Sequence, residues 1–340
     1  MDPIALLEEL TSIPGPPGQE EAVAEALWRH VEYMGLQPEV DAKGNLLVWI
    51  GSGAPNVVVT AHMDEIAMIV REVRPDGSLA VTRLGGMHPW KLGEGPVDIL
   101  ARGDSLPGVL GFGGIHTEDP SSNVVKARDK GLEWDAASVF TGRSAEELAE
   151  RGVRPGTRVV VSRSRRKLTY LGDHVAGYFM DDRADLVSWL LALEHLKDLE
   201  INVLFAATAS EEVGGEGALF LLHRVWPAVV IALELGALVP DAQADLSPTP
   251  TVWALDGYGA TTAADLDLLA DIGRELNMDL QFQAFSRGGS DASLAASRGL
   301  CARPITLGIP MANSHGYEII HRDSMSELAR LTSRLIRVLV

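Results

Sequence analysis

Apolar positions recur every three or four residues at the start of the chain and then give way to short unbroken runs. Ile4, Leu7 and Leu10 share one helical face, and the run ends at Ile13-Pro14-Gly15-Pro16-Pro17-Gly18, where proline and glycine forbid continuation. Val23, Leu27, Val31 and Met34 predict a second amphipathic helix over 20–34. The segments 44–50 and 56–61 are short, β-branched and almost wholly apolar, which predicts strands covered on both faces.

From about 66 to 172 the pattern changes. Runs such as 78–82, 97–100 and 158–161 are separated by Gly, Pro and Asp turns, which predicts a β-rich unit. After about 173 the alternation of strand and helix returns. A helix is expected over 184–196, and buried strands over 201–207, 228–233 and 304–309. Amphipathic helices are expected over 262–276 and 324–338, the last capped by Asp323 or Ser324. The pattern predicts one α/β domain built from both ends of the chain, residues 1–65 and 173–340, interrupted by a β insertion over 66–172.

Composition narrows the classes. The 340 residues suffice for a substantial core. A formal net charge of −18 argues against nucleic acid and anionic membrane as partners. The dense basic run Arg163-Ser164-Arg165-Arg166-Lys167 reads as a solvated strand edge or an intersubunit contact. No segment has the roughly 20 apolar residues of a membrane span, and the amino terminus is acidic where a signal peptide would be basic. Cys301 is the single cysteine, which suits a reducing compartment and points to the cytoplasm.

Acidic and histidine residues gather where the expected strands end, the usual ligand position in open α/β sheets. His62 and Asp64 follow one strand, and i, i+2 spacing lets them act together. Asp181 and Asp182 precede a helix; taken alone they read as its caps. Glu211 and Glu212 follow a strand and lead into a glycine bend that lacks phosphate-loop spacing. Glu234 ends an apolar strand, where a carboxylate needs a partner. His315 follows the last strand. Two imidazoles and several carboxylates form the nitrogen and oxygen set that suits Zn²⁺, Co²⁺ or Mn²⁺, with one carboxylate left over as a general base. Arg287 either meets a substrate carboxylate or pairs with an acidic neighbour.

The motifs Ala-His-Met-Asp-Glu-Ile (61–66), Asp-Asp-Arg (181–183), Glu-Glu-Val-Gly-Gly-Glu-Gly-Ala (211–218), Gly-Gly-Ser-Asp-Ala (288–292) and Ser-His-Gly-Tyr-Glu (314–318) occur in that order. Jointly they resemble the TET-type aminopeptidases, the glutamyl-aminopeptidase family of dinuclear metallopeptidases. The resemblance implies a three-layer, zinc-aminopeptidase-like catalytic domain with a mostly parallel central sheet and a small β-barrel-like insertion. It implies two divalent ions, zinc foremost, with His62 and Glu212 on different ions, Asp181 bridging, and Glu234 and His315 completing the shells. Asp64 would orient His62, Asp182 would support Asp181, and Glu211 would be the base. It also implies short peptides as substrates and a homo-oligomer, a dimer-based assembly up to a tetrahedral dodecamer.

Three positions depart from the family pattern: Glu234 where many members have Asp, Ala67 in place of Gly, and Tyr178 in place of a Lys. The rival readings are a deacylase on the same scaffold, a glycosidase using paired carboxylates, and a noncatalytic assembly protein. The glycosidase leaves both histidines unexplained. Related deacylases usually carry their large insertion between the Glu-Glu motif and the final histidine, which does not match this chain.

Overall fold

Alternation along two buried strands explains the layering. In the computed structural model, which describes residues 1–340 apart from the side chains of 129 and 130, the strands Val57–His62 and Val203–Thr208 are buried at every position. Val57, Val59, Val203 and Phe205 face one apolar cluster, which they share with Leu7, Leu27, Leu190 and Leu331 from four helices. Val58, Leu204 and Ala206 face the opposite cluster, with Leu221, Leu222 and Ala295 from two other helices. A sheet buried on both faces cannot show polar alternation, which is why these strands read as continuous apolar runs.

The sheet has eight strands. At its centre Val203–Thr208, Val57–His62, Val229–Ala237 and Arg303–Met311 run parallel in that order. Antiparallel neighbours flank this core on both sides, Leu46–Ile50 against Val203–Thr208 and Thr251–Leu255 against Arg303–Met311. Leu46–Ile50 lies one place from the sheet edge, and its Trp49 is 39% exposed rather than covered on both faces. Helix Met180–Leu196 crosses one face, with the Trp189 indole N–H donating to the Val59 carbonyl at 3.3 Å.

The strands Ala67–Val73, Leu79–Leu84, Gly95–Leu100, Ser105–Gly111, Ser138–Phe140 and Arg158–Val161 close into a barrel. Its interior holds Met68, Val81, Ile99, Leu110, Val139 and Val159. The same stretch also carries three short helices, Pro89–Leu92, Asn123–Lys130 and Ala145–Glu150. Past the barrel, Thr169–Leu171, His174–Tyr178 and Tyr317–His321 make a small antiparallel sheet.

Three local expectations give way to tertiary contacts. Asp181 and Asp182 do not cap their helix: the residue before it is Phe179, without a side-chain cap bond, and both aspartates leave helical geometry. Asp323 stands at the N-cap of Ser324–Leu339 but its side chain makes no capping bond. Within the basic run, Arg166 is neither solvated nor at an edge; it is 2% exposed and ion-paired with buried Glu65.

Candidate metal centre and active site

The carboxyl ends of the parallel strands converge on one cleft. His62 is the last residue of its strand, Glu211 and Glu212 lie in the turn after Thr208, Glu234 lies within Val229–Ala237, and His315 follows Met311. Asp181 joins them from the start of helix Met180–Leu196, where the Asp181–Asp182 peptide is cis. Residues up to 253 positions apart, from His62 to His315, are thereby brought to one point.

Two groups of donor atoms share Asp181. His62, Asp181, Asp182 and Glu234 place one ligand atom each within 4.8 Å of one another, and so do Asp181, Glu212 and His315. His62 Nε2 is 3.3 Å from Asp181 Oδ1, and His315 Nε2 is 3.3 Å from Asp181 Oδ2. One aspartate therefore presents its two oxygens to two different imidazoles.

Each ring is oriented through its other nitrogen. His315 Nδ1 lies 3.1 Å from the Gly86 carbonyl, which the barrel stretch supplies. A Cβ at Gly86 would stand 2.4 Å from that nitrogen, so glycine is required by close approach. His62 Nδ1 lies 3.0 Å from the main-chain oxygen of Asp64 and 3.5 Å from its carboxylate. The Asp64 carboxylate accepts from the Glu211 and Glu212 amides at 2.9 and 3.0 Å, which fixes the turn carrying both glutamates. Asp182 accepts from the His62 amide at 2.7 Å.

The electrostatics are those of a site short of positive charge. Burial raises the Glu234 carboxyl well above the ordinary range, with Asp182 and Glu211 adding to it. Burial does the same to Glu211, opposed by His62 and reinforced by Asp291 and Glu212. Burial also raises Glu212. For Asp181 burial acts upward, but His315 and His62 hold the carboxyl below its usual value. Burial disfavours the charged form of His62, yet Asp182, Asp181 and Asp64 outweigh it and raise the imidazole well above its usual value.

No Lys or Arg pairs with Asp181, Glu211, Glu212 or Glu234 among the described residues, and Asp182 Oδ1 is buried without a hydrogen-bond partner. Like charges so crowded need a cation. An imidazole and carboxylate donor set without thiolate fits Zn²⁺, Co²⁺ or Mn²⁺; Cys301 lies elsewhere, packed beside the apolar cluster of Leu221 and Ala295.

Some supporting residues were absent from the sequence-based assignment. Glu318 Oε2 accepts from the Met180 and Asp181 amides at 2.7 and 3.1 Å, and its Oε1 from the His315 amide at 2.9 Å. It thus ties the backbones of Asp181 and His315 together, and burial pushes its carboxyl up to about 8. Asp185, one turn after Asp181, is fully buried beside Asp182. Asp291 accepts from Thr208 Oγ1 at 2.7 Å. The available signal was acid in apolar surroundings: Asp185 is the one charged residue in a helical stretch buried throughout from Ala184 to Leu193. Tyr178, at a departure position, receives a hydrogen bond from Arg165 Nη2 at 2.8 Å, with the guanidinium 5.2 Å from the ring centroid.

Comparison with known proteins agrees with this geometry. The family model for M42 glutamyl aminopeptidases matches residues 44–331, most of the chain. The chain belongs to the M42 glutamyl aminopeptidase family. It is accordingly a peptide hydrolase, a metal-dependent aminopeptidase. A lysyl aminopeptidase of Pyrococcus furiosus is 25% identical over 98% of this chain and 96% of its own length. A glutamyl aminopeptidase of Lactococcus lactis is 25% identical over 92% of this chain and 90% of its own. Among solved structures, the TET1 peptidase of Pyrococcus horikoshii superposes with a TM-score of 0.88 at 28% identity, covering 98% of this chain and 99% of that one. That protein is described as assembling into a tetrahedron or a large octahedral shell.

Proposed function

We propose that this M42 peptidase removes the amino-terminal residue of short peptides at a dinuclear centre held by His62, Asp181, Glu212, Glu234 and His315. The observation that carries this is the sharing of Asp181 between the two donor groups, with an imidazole 3.3 Å from each of its oxygens. Two divalent ions, Zn²⁺ first and Co²⁺ or Mn²⁺ as alternatives, would supply Lewis-acid polarisation of the scissile carbonyl and an acidified water when bound. Asp182 has a donor atom close enough to join the His62 group; in this reading it positions the site instead, a role supported by the hydrogen bond its carboxylate accepts from the His62 amide.

Glu211 is the general base in this reading. It lines the cleft without being needed in either donor group. Its raised carboxyl pKa, caused first by burial, suits a group that takes up a proton and returns it to the leaving amine. Asp64 serves catalysis by setting the turn of Glu211 and Glu212 and the carbonyl beside His62.

Residues 1–65 and 173–340 form the catalytic part in this proposal, and 66–172 form an insertion that supports a homo-oligomer. A TET1 peptidase structure described as a dodecamer, 27% identical to this chain, supports a dodecamer as the expected assembly. No helix is long and apolar enough to cross a membrane, and the compartment we expect is the cytoplasm. Metal removal tests the chemistry. Chelation should abolish cleavage of aminoacyl chromogenic substrates, and Zn²⁺, Co²⁺ or Mn²⁺ should restore it. Full activity in protein verified to be metal-free would refute the mechanism.

A further inference from the structure

The cleft changes character beyond Glu234. It encloses about 430 Å³, and its carboxylates all belong to the metal cluster. Past them the lining is apolar: Leu235, Ala237, Trp253 and Phe285. Trp253 and Phe285 meet edge to face with centroids 4.8 Å apart, and the indole N–H donates to the Leu235 carbonyl at 3.1 Å. Both rings are almost fully buried, so this wall is fixed. Two loops also line the cleft, joined through the Gly257 amide, which donates to the Gly288 carbonyl at 2.9 Å. Tyr258 packs on Gly289, where a Cβ would stand 2.2 Å from ring carbons.

Arg287, on the second loop, is the one lysine or arginine among the cleft's lining residues. It is exposed and has no hydrogen bond or ion pair among the described residues. On the other side of the cluster, the recess lined by Ile66, Met87, Leu92 and Phe179 offers only about 10 Å³, room for a single water at most. A substrate side chain therefore has space only on the Glu234 side.

Resting on the aminopeptidase reading above, we propose that this apolar wall is the side-chain pocket for the substrate's first residue. It selects a neutral aliphatic or aromatic side chain, and Arg287 determines specificity by turning cationic side chains away. Magnitudes decide between the candidates. Burying a leucine or phenylalanine side chain favours binding by about ten- to hundredfold. An acidic side chain meeting a solvent-exposed arginine gains about fivefold at most. A lysine side chain meets a like charge and finds no carboxylate outside the metal cluster.

The test is kcat/KM of the metal-loaded protein on leucyl, phenylalanyl, glutamyl and lysyl p-nitroanilides. Leucyl and phenylalanyl should lead glutamyl by about tenfold or more, with lysyl last. In Arg287→Glu the lysyl-to-leucyl ratio of kcat/KM should rise about tenfold; the residue is exposed, so the variant should fold. A glutamyl or lysyl optimum, or a ratio that Arg287→Glu leaves unmoved, overturns the inference. Hydrolysis of none of the four by protein with verified metal content overturns the aminopeptidase reading, and the inference with it.

Discussion

Two buried acidic regions lie next to each other in this molecule and obey opposite rules. Glu65 is fully buried, and the protein itself neutralises it. Arg166 reaches its two oxygens at 2.9 and 2.5 Å, and Arg183 reaches one at 3.2 Å. Three residues earlier, His62 opens a cluster in which Asp181, Glu211, Glu212 and Glu234 have only imidazoles for counter-charge. The first region ties helix Met180–Leu196 to the segment leaving the barrel and reads as architecture. The second is left incomplete by the chain's own side chains, and an incomplete buried charge set implies something bound.

The comparison can be broken most severely at Glu211. Glu211→Gln should lower kcat by about 10²- to 10⁴-fold while metal content by elemental analysis stays at the wild-type level. A wild-type kcat would remove Glu211 from the chemistry. Glu65→Gln should act on the other region and on stability alone. It leaves two buried guanidinium groups without their carboxylate, at a cost of about 3–5 kcal/mol in denaturant unfolding, with or without metal. A loss seen only in the metal-loaded protein would merge the two regions into one.

Glu234→Gln sharpens the contrast from inside the cluster. Removing a carboxylate that repels its neighbours should leave metal-free stability unchanged or raise it by about 1 kcal/mol, while calorimetry reports weaker metal binding. A destabilised metal-free variant would mean that this carboxylate is compensated after all.

The smallest effect is expected at Asp265, a control pair far from both regions. Burial would raise its carboxyl, but hydrogen bonds from Arg303 and Thr262 hold it below the ordinary value. A depressed folded pKa means stability that is present above about pH 4 and is lost as pH falls through the lowered value. Arg303 is 39% exposed, so screening limits the ion pair to about 1 kcal/mol or less. Asp265→Asn should cost that much at pH 7 and nothing in strong acid, measured by thermal unfolding across pH.

Much of this was legible in the chain itself. The apolar runs at 56–61 and 201–207 read as strands because a sheet covered on both faces has no polar face to interrupt them. The helix caps misled at Asp181 and Asp182, since local preference competes there with a site assembled from distant segments. The basic run misled at Arg166, because burial of an arginine is decided by Glu65, 101 residues away. Glu318 and Gly86 carry no local mark of their work, which is to hold His315 from two directions.

By itself the sequence determined that the central strands are covered on both faces, that the inserted stretch is β-rich, and which histidines and carboxylates stand at the strand ends, since these follow from periodicity and residue chemistry. Tertiary structure alone decided that Asp181 stands between His62 and His315, that Glu65 is neutralised while Glu234 is not, and that Arg287 lines the same cleft as Trp253 and Phe285. The physical reason is range. Periodicity reports on neighbours a few residues apart, whereas the fate of a buried charge depends on which distant side chains the fold places within about 4 Å of it.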